Sequence, residues 1–171
     1  MTGVRRIGFA YNPTNEDALE LRERAAGWCR MRGIEQWAAA ANDTTDRDAE
    51  LRDTDVLVVL GGDGTFLRAV QAIAERDIPI LGINLGKVGF LSMAEAHELE
   101  QVLEKLRTGQ FAIRDRMALS GQILEAGLNP DGSFIALNDI VIARGALARV
   151  VRLDVSIDES HLATFVAAGL V

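Results

Sequence analysis

Two hydrophobic periods alternate along the first 110 residues of the chain, one typical of strands and one of helices. Short apolar runs at 4–10, 56–60 and 78–83 predict strands, and a weaker run lies at 34–40. The run at 56–60, VLVVL, contains no polar residue. Such a run is typical of a strand that is buried on both faces of a parallel sheet.

Between these runs the apolar residues recur every three to four positions, which is the spacing of amphipathic helices. We predict helices over 16–32, after the glycine cluster at 61–64, and over 95–109, with a short helix inside the polar stretch 41–55. A glycine follows the first and the last of these helices, where a helix is expected to end. For the helix after the glycine cluster, the predicted core-facing residues are Phe66, Leu67, Val70, Ile73 and Ala74.

The pattern changes near residue 110. The alternation of strands and helices before it predicts an α/β domain with a parallel, Rossmann-like sheet. After it, 111–124, 133–144 and 150–158 are predicted strands with no helix between them, and turns are predicted at 129–132 and 158–160. We therefore predict two domains: an α/β domain over 1–112 and the start of a β-rich, antiparallel domain over 113–171.

The last residues, AAGLV, are apolar and resemble the middle of a strand. No closing loop or polar tail follows them in the sequence. We therefore expect the second, all-β domain to be incomplete in this chain.

Composition narrows the functional classes. The chain has 171 residues, with 18 basic and 25 acidic side chains and a net charge of −7. No block of basic residues is present, which argues against nucleic acid as a partner. A lone cysteine, Cys29, permits no internal disulfide and fits a small core residue. The sequence contains neither a zinc-binding spacing nor an apolar run of membrane-spanning length, so we expect no membrane partner and a cytoplasmic protein.

Candidate chemistry is concentrated in VLVVLGGDGTFLRAV, residues 56–70. A glycine cluster between a buried strand and a helix provides backbone N–H groups that bind anions. Gly61, Gly62 and Gly64 are therefore candidates for a phosphate-binding loop. No lysine follows them, which excludes a P-loop, and the match to the dinucleotide fingerprint is weak because Leu67 occupies its third glycine position.

Asp63 is unexpected in this loop because a carboxylate repels phosphate. It would make sense as a general base that accepts the proton of an attacking hydroxyl, or as a group that helps to place Mg²⁺. The alternative is a structural one, in which Asp63 caps the helix that follows. Arg68 could reach a phosphate from one turn inside that helix, but taken alone the residue favours a solvated surface side chain.

Three stretches in this order, LGGDGTFLRA (60–69), LGINLGKVGFL (81–91) and LNDIVIARG (137–145), resemble the signature segments of NAD kinases. The resemblance extends from about residue 4 to residue 171. It implies that ATP, with Mg²⁺, or in some members polyphosphate, phosphorylates the 2′-hydroxyl of the adenosine ribose of NAD to give NADP. It also implies a homodimer or homotetramer.

By the resemblance, Asp63 would be the general base and would contact NAD together with Gly64. Arg68 matches a ligand-contacting position, and Phe90 resembles the aromatic residue that packs on adenine. The remaining matches are three residues that would bind ribose hydroxyls or other parts of NAD: Asn138, Asp139 and Arg149. From the residues alone, Phe90 could instead be a core residue, and Asn138 with Asp139 could be a turn.

Two features depart from the family pattern. Ala168-Gly169 stands where the family has Asp-Gly, and the threonine-rich segment T-P-T-G-S-T-A-Y that follows it in the family does not occur in this sequence. The alternatives are a lipid or sugar kinase that shares the GGDG loop, as diacylglycerol kinases do, and a non-catalytic nucleotide-binding module. A lipid or sugar kinase leaves the second and third stretches unexplained, whereas the non-catalytic module stays open because the T-P-T-G-S-T-A-Y segment does not occur in this sequence.

Overall fold

Parallel pairing of five strands organises the first part of the chain. In a computed structural model, residues 3–44, 47–74, 76–86, 89–124, 133–143 and 150–171 are described. They divide into two compact units, Met1–Arg114 and Asp115–Val171.

The first unit alternates strands with helices, as the hydrophobic periods predict. Its elements in chain order are β1 (Arg6–Tyr11), α1 (Glu16–Met31), β2 (Glu35–Ala40), α2 (Asp48–Arg52), β3 (Val56–Leu60), α3 (Asp63–Ile73), β4 (Ile80–Asn84), β5 (Ala94–Glu95), a 3₁₀ turn (Ala96–Glu98) and α4 (Leu99–Arg107). Among the described residues the strands form one sheet in the order β2-β1-β3-β4-β5, and every neighbouring pair is parallel. The α/β prediction is therefore confirmed.

Side chains alternate between the two faces of this sheet, and helices cover both faces. Ile7 and Val56 are paired in register and face the core that α1 and α4 cover. The paired residues Val59 and Gly82 point to the opposite face, where the ring of Phe66 from α3 approaches Gly82. All five residues of β3 are buried, as expected for a central parallel strand.

Helix ends follow local chemistry. Asn15 caps α1 by accepting a hydrogen bond from the N–H of Ala18 at 3.1 Å. Gly33, with φ of 65°, lies in the left-handed conformation that ends the helix, and Gly109 does the same after α4 with φ of 71°. Cys29 is fully buried, as predicted, and burial raises the pKa of its thiol to about 11.

The predicted inner face of α3 is partly wrong. Leu67 is 39% exposed and Ala74 is also exposed, whereas Thr65 and Ala69 are buried. The residues of α3 that face the sheet are Thr65, Phe66, Ala69, Ala72 and Ile73. Each residue of a helix turns by about 100°, so the stripe centred on Phe66 and Ala69 leaves Leu67 on the outer side.

The second unit consists of short antiparallel pairs in its described residues. Its strands are β6 (Leu119–Gln122), β7 (Ser133–Ala136), β8 (Ile142–Ala143), β9 (Val151–Ile157), β10 (Ser160–Ala167) and β11 (Gly169–Leu170). The longest pairing joins β9 to β10 through a turn at Asp158 and Glu159, where both residues have positive φ, as tight hairpins require.

Two of the predicted strands are shorter than expected. The prediction over 111–124 reduces to β6, and the prediction over 133–144 is divided between β7 and β8. The turn predicted at 129–132 lies outside the described residues.

Candidate functional site

The carboxyl ends of β3 and β4 lie side by side in the first unit, and two loops begin there. Leu60 pairs with Ile83, and the N–H of Gly61 donates to the carbonyl of Ile83 at 3.0 Å. The first loop runs through Gly61 and Gly62 into α3, and the second follows Asn84. Open α/β sheets bind their ligands at this edge, so the two loops define the candidate site.

The three glycines of the first loop differ in how much space a side chain would have at each position. A Cβ on Gly61 would come within 2.7 Å of the Thr65 hydroxyl oxygen, so no side chain fits there. Gly62 and Gly64 have open space, apart from the Arg68 guanidinium at 3.9 Å from a Cβ on Gly64. Gly61 thus shapes the turn, while Gly62 and Gly64 expose backbone to an approaching ligand.

Asp63 is the first residue of α3 but does not cap it. The cap position is Gly62, with no side-chain cap hydrogen bond. The Asp63 carboxylate instead reaches the second loop, where its Oδ2 accepts from the N–H of Phe90 at 3.0 Å and its Oδ1 from the N–H of Leu91 at 3.1 Å. The helix-capping alternative is therefore wrong, and the carboxylate joins the two loops of the site.

Arg68 lies one turn into α3, on its exposed side. Its guanidinium folds back towards Gly64, as the 3.9 Å distance indicates. None of the ion pairs between described residues uses Arg68. A positive charge of this kind beside the start of a helix favours an anion at that position.

Phe90 and Leu91 point in opposite directions. Leu91 is 4% exposed, whereas Phe90 is 94% exposed although its N–H is bonded to Asp63. The core alternative for Phe90 is therefore wrong. An aromatic side chain that is exposed beside a carboxylate offers a flat apolar surface to a ligand.

Asn84 was not among the residues singled out from the sequence. It is 6% exposed at the end of β4, and its amide Nδ2 donates to the carbonyl of Gly86 at 3.0 Å. This bond shapes the start of the second loop. The position of Asn84 in the sequence could have identified it, because a polar residue at the end of a buried parallel strand lies at the edge where ligands bind.

The remaining candidates belong to the second unit. Asn138 and Asp139 are exposed and follow β7, in a segment between two short strands. Arg149 lies outside the described residues, as do Lys87 and Val88 of the second loop. The structure therefore brings together Asp63, the three glycines, Arg68 and the loop that contains Phe90.

No group of three metal-ligating side chains occurs within the ranges that the structure describes. Within the same ranges, no helix has the length and apolar character needed to cross a bilayer.

Comparisons with known proteins show which family the chain resembles. The family model for the ATP-NAD kinase N-terminal domain matches residues 12–111. NAD kinase of Syntrophotalea carbinolica is 38% identical, and the alignment covers 98% of this chain and 61% of the relative. NAD kinase of Geotalea daltonii is 39% identical, with the same two coverages. The chain thus spans about 60% of the length of these curated relatives.

The solved structure of yeast NADH kinase complexed with NADH has the same fold. It superimposes with a TM-score of 0.78 at 21% sequence identity, over 99% of this chain and 57% of the other. Because the family model matches more than half of the chain, at the glycine loop and the loop of Phe90, the family is established: the chain belongs to the NAD kinase family.

Proposed function

We propose that this chain carries the phosphoryl-transfer site of an NAD kinase, which converts NAD to NADP with ATP or polyphosphate as the donor. The proposal rests on the position of the Asp63 carboxylate. This side chain begins at the glycine loop and is hydrogen-bonded to the loop that contains the exposed Phe90. A base, phosphate-binding amides and an aromatic surface are the groups that such a reaction needs.

In the proposed step, O2′ of the adenosine ribose attacks the γ-phosphorus of ATP. The new O2′–P bond forms as the bond from phosphorus to the β,γ-bridging oxygen breaks, and ADP leaves. Asp63 accepts the proton of the 2′-hydroxyl. An ionised carboxylate offers about four acceptor positions, so the two bonds to Phe90 and Leu91 leave capacity for that proton.

The other groups position the substrates. The amides beside Gly62 and Gly64 and the guanidinium of Arg68 would stabilise phosphate charge. Phe90 would pack on adenine, while Asn138 and Asp139 would bind ribose hydroxyls, and Arg149 would add a further contact to NAD. These assignments rest on the resemblance and on the exposure of Phe90, Asn138 and Asp139.

Mg²⁺ would arrive with the donor. This ion is commonly held by one or two carboxylates together with substrate phosphates, rather than by a protein cage. Asp63 is the carboxylate at the mouth of the glycine loop and is suited to help place such an ion. The ion would supply neutralising charge for the transferred phosphoryl group.

We also propose a cytoplasmic homo-oligomer, by analogy with the family. Light scattering of the purified chain would measure its mass in solution, and a monomer at all concentrations would contradict this part of the proposal.

The test is an assay of NADP formation by the purified chain, with NAD and Mg²⁺ and with ATP, polyphosphate or no donor. We expect NADP only when a donor is present. Diacylglycerol and sugar phosphates serve as competing acceptors, and phosphorylation of either one without NADP formation would contradict the proposal.

Asp63→Asn keeps the shape of the side chain and removes the base, and its amide NH₂ also cannot accept one of the two backbone N–H groups. We expect the rate to fall on the order of 10²-fold or more, the scale of general-base catalysis. Asp53→Asn is the matched control, since Asp53 is exposed and precedes β3, at the opposite edge of the sheet. A nearly unchanged rate in Asp63→Asn would exclude Asp63 as the base.

A further inference from the structure

The hydrogen-bond donors that hold the Asp63 carboxylate are backbone N–H groups. A substitution at the donor residues would therefore change their side chains but not these donors. The two carboxylate oxygens accept from two consecutive N–H groups, those of Phe90 and Leu91, at 3.0 and 3.1 Å. Hydrogen bonds to an ionised carboxylate are stronger than those between neutral groups. The orientation of the carboxylate therefore depends on how closely the second loop can approach it.

Gly89 controls that approach. A Cβ built on Gly89 would lie 2.4 Å from Oδ1 of Asp63, 3.0 Å from its Cγ and 3.2 Å from Oδ2. Ordinary contact begins at 3.4 Å, so a side chain here would force the carboxylate and the loop apart by about 1 Å, since 3.4 − 2.4 = 1.0. Such a displacement would break both hydrogen bonds, because donor–acceptor distances of about 4 Å lie well outside the range of roughly 2.7–3.2 Å that N–H···O bonds have.

A side chain at this position would meet Asp63 first. The three heavy atoms nearest to a Cβ on Gly89, leaving out its chain neighbours, all belong to the Asp63 carboxyl group. The effect of a side chain at 89 should therefore depend on whether the Asp63 carboxylate is present.

We propose that Gly89 is a positioning residue for the phosphoryl transfer: its missing side chain lets the Asp63 carboxylate bind the N–H groups of Phe90 and Leu91. The catalytic part of this inference rests on the proposed role of Asp63 as the base. The structural part, that Gly89 seats the carboxylate, can be tested without any activity.

The first measurement is a thermal-melting cycle on the purified 171-residue chain. Gly89→Ala should lower Tm by roughly 3–8 °C, the shift expected when one or two hydrogen bonds are lost in a protein of this size. In the Asp63→Ala background the carboxylate is absent, so Gly89→Ala should change Tm by less than about 1 °C. Equal losses in both backgrounds would overturn the proposal.

Gly86→Ala is the matched control. Gly86 lies in the same loop, has no positive φ, and no described atom lies within 4 Å of a Cβ placed on it. Its Tm should stay within about 1 °C of that of the unsubstituted chain. If Gly89→Ala fails to fold, recovery of a folded protein in the Asp63→Ala/Gly89→Ala double variant supports the proposal, and failure to recover it contradicts the proposal.

The second measurement separates positioning from a general structural role. Because a misplacement of about 1 Å can cost on the order of 10²-fold, Gly89→Ala should lower kcat roughly 10- to 100-fold and leave KM for NAD within about 2-fold. An unchanged kcat would overturn the proposal. If the unsubstituted chain forms no NADP, the proposed function fails, and the melting cycle still decides the role of Gly89.

Discussion

At the scale of single residues, the orientation of each side chain determines what it can contact at this site. Asp63 could have capped α3, but its carboxylate turns to the second loop and accepts two backbone N–H groups there. Phe90 and Leu91 are adjacent in the chain, yet one is exposed and the other buried. Leu91 therefore anchors the loop in the core, while Phe90 is left available to a ligand.

The exposure of Phe90 leads to a prediction about binding. Phe90→Ala removes an aromatic surface that has almost no contacts in the folded chain, so Tm should change by less than about 1 °C. If the ring packs on adenine, KM for NAD should rise about 10-fold or more, since base–aromatic stacking contributes roughly 1–3 kcal/mol. Steady-state kinetics and a melting curve measure the two effects.

Met93→Ala is the control for this prediction. Met93 is also a large exposed apolar residue, at 67%, three positions further along the same loop. An equal rise of KM in both variants would indicate a loss of loop order and would contradict a specific contact of Phe90 with adenine.

At the scale of elements, α1 and α4 pack together on one face of the sheet. Leu99, Leu103 and Leu106 of α4 are buried in the same core as Leu21 and Trp28 of α1. At the rim, the guanidinium of Arg24 contacts both oxygens of the Glu100 carboxylate at 2.8 and 3.1 Å. The charges are half exposed, so this pair contributes little, and apolar burial holds the helices in place.

Replacing Leu103, the central residue of α4, with alanine tests whether apolar burial holds this helix in place. Leu103 is fully buried, so Leu103→Ala should lower the free energy of unfolding by about 2–5 kcal/mol through lost burial and the cavity left behind. Chemical denaturation followed by circular dichroism gives this value. Gln101→Ala, an exposed substitution in the same helix, should lie within about 0.5 kcal/mol of the unsubstituted chain.

A loss below about 1 kcal/mol in Leu103→Ala would contradict the assignment of α4 to the core. A similar loss in both variants would show that the loss does not come from burial, since Gln101 is exposed and alanine is the strongest helix former.

At the scale of the whole molecule, the two compact units differ in what they bury. The core cluster of buried apolar residues lies within Met1–Arg114. In the described residues of Asp115–Val171, strands such as β9 and β10 are half buried or exposed along their length. The first unit therefore contains what a domain needs to fold independently.

This difference predicts how the first unit behaves alone. A chain that contains only residues 1–114 should unfold in one cooperative thermal transition and keep the helical circular dichroism of α1, α3 and α4. Since the site loops belong to this unit, the Tm loss of Gly89→Ala should also be preserved in it. A non-cooperative melt of the 1–114 chain would contradict an independent first unit.

The sequence by itself determined the order of strands and helices in the first unit, because hydrophobic periodicity and helix-ending glycines are local signals. It also located the glycine loop with Asp63, since that loop follows the most apolar strand of the chain. It fails where local signals are ambiguous: the pattern predicts Leu67 in the core, where it is 39% exposed, and it predicts one strand over 133–144, which is divided into β7 and β8.

Only the tertiary structure decided what Asp63 contacts. Its partners lie 27 and 28 residues further along the chain, and their approach depends on β3 and β4 being neighbours in register. The steric role of Gly89 follows from the same juxtaposition. No pattern within either loop contains this information, because a contact between two loops arises only when the sheet brings their ends together.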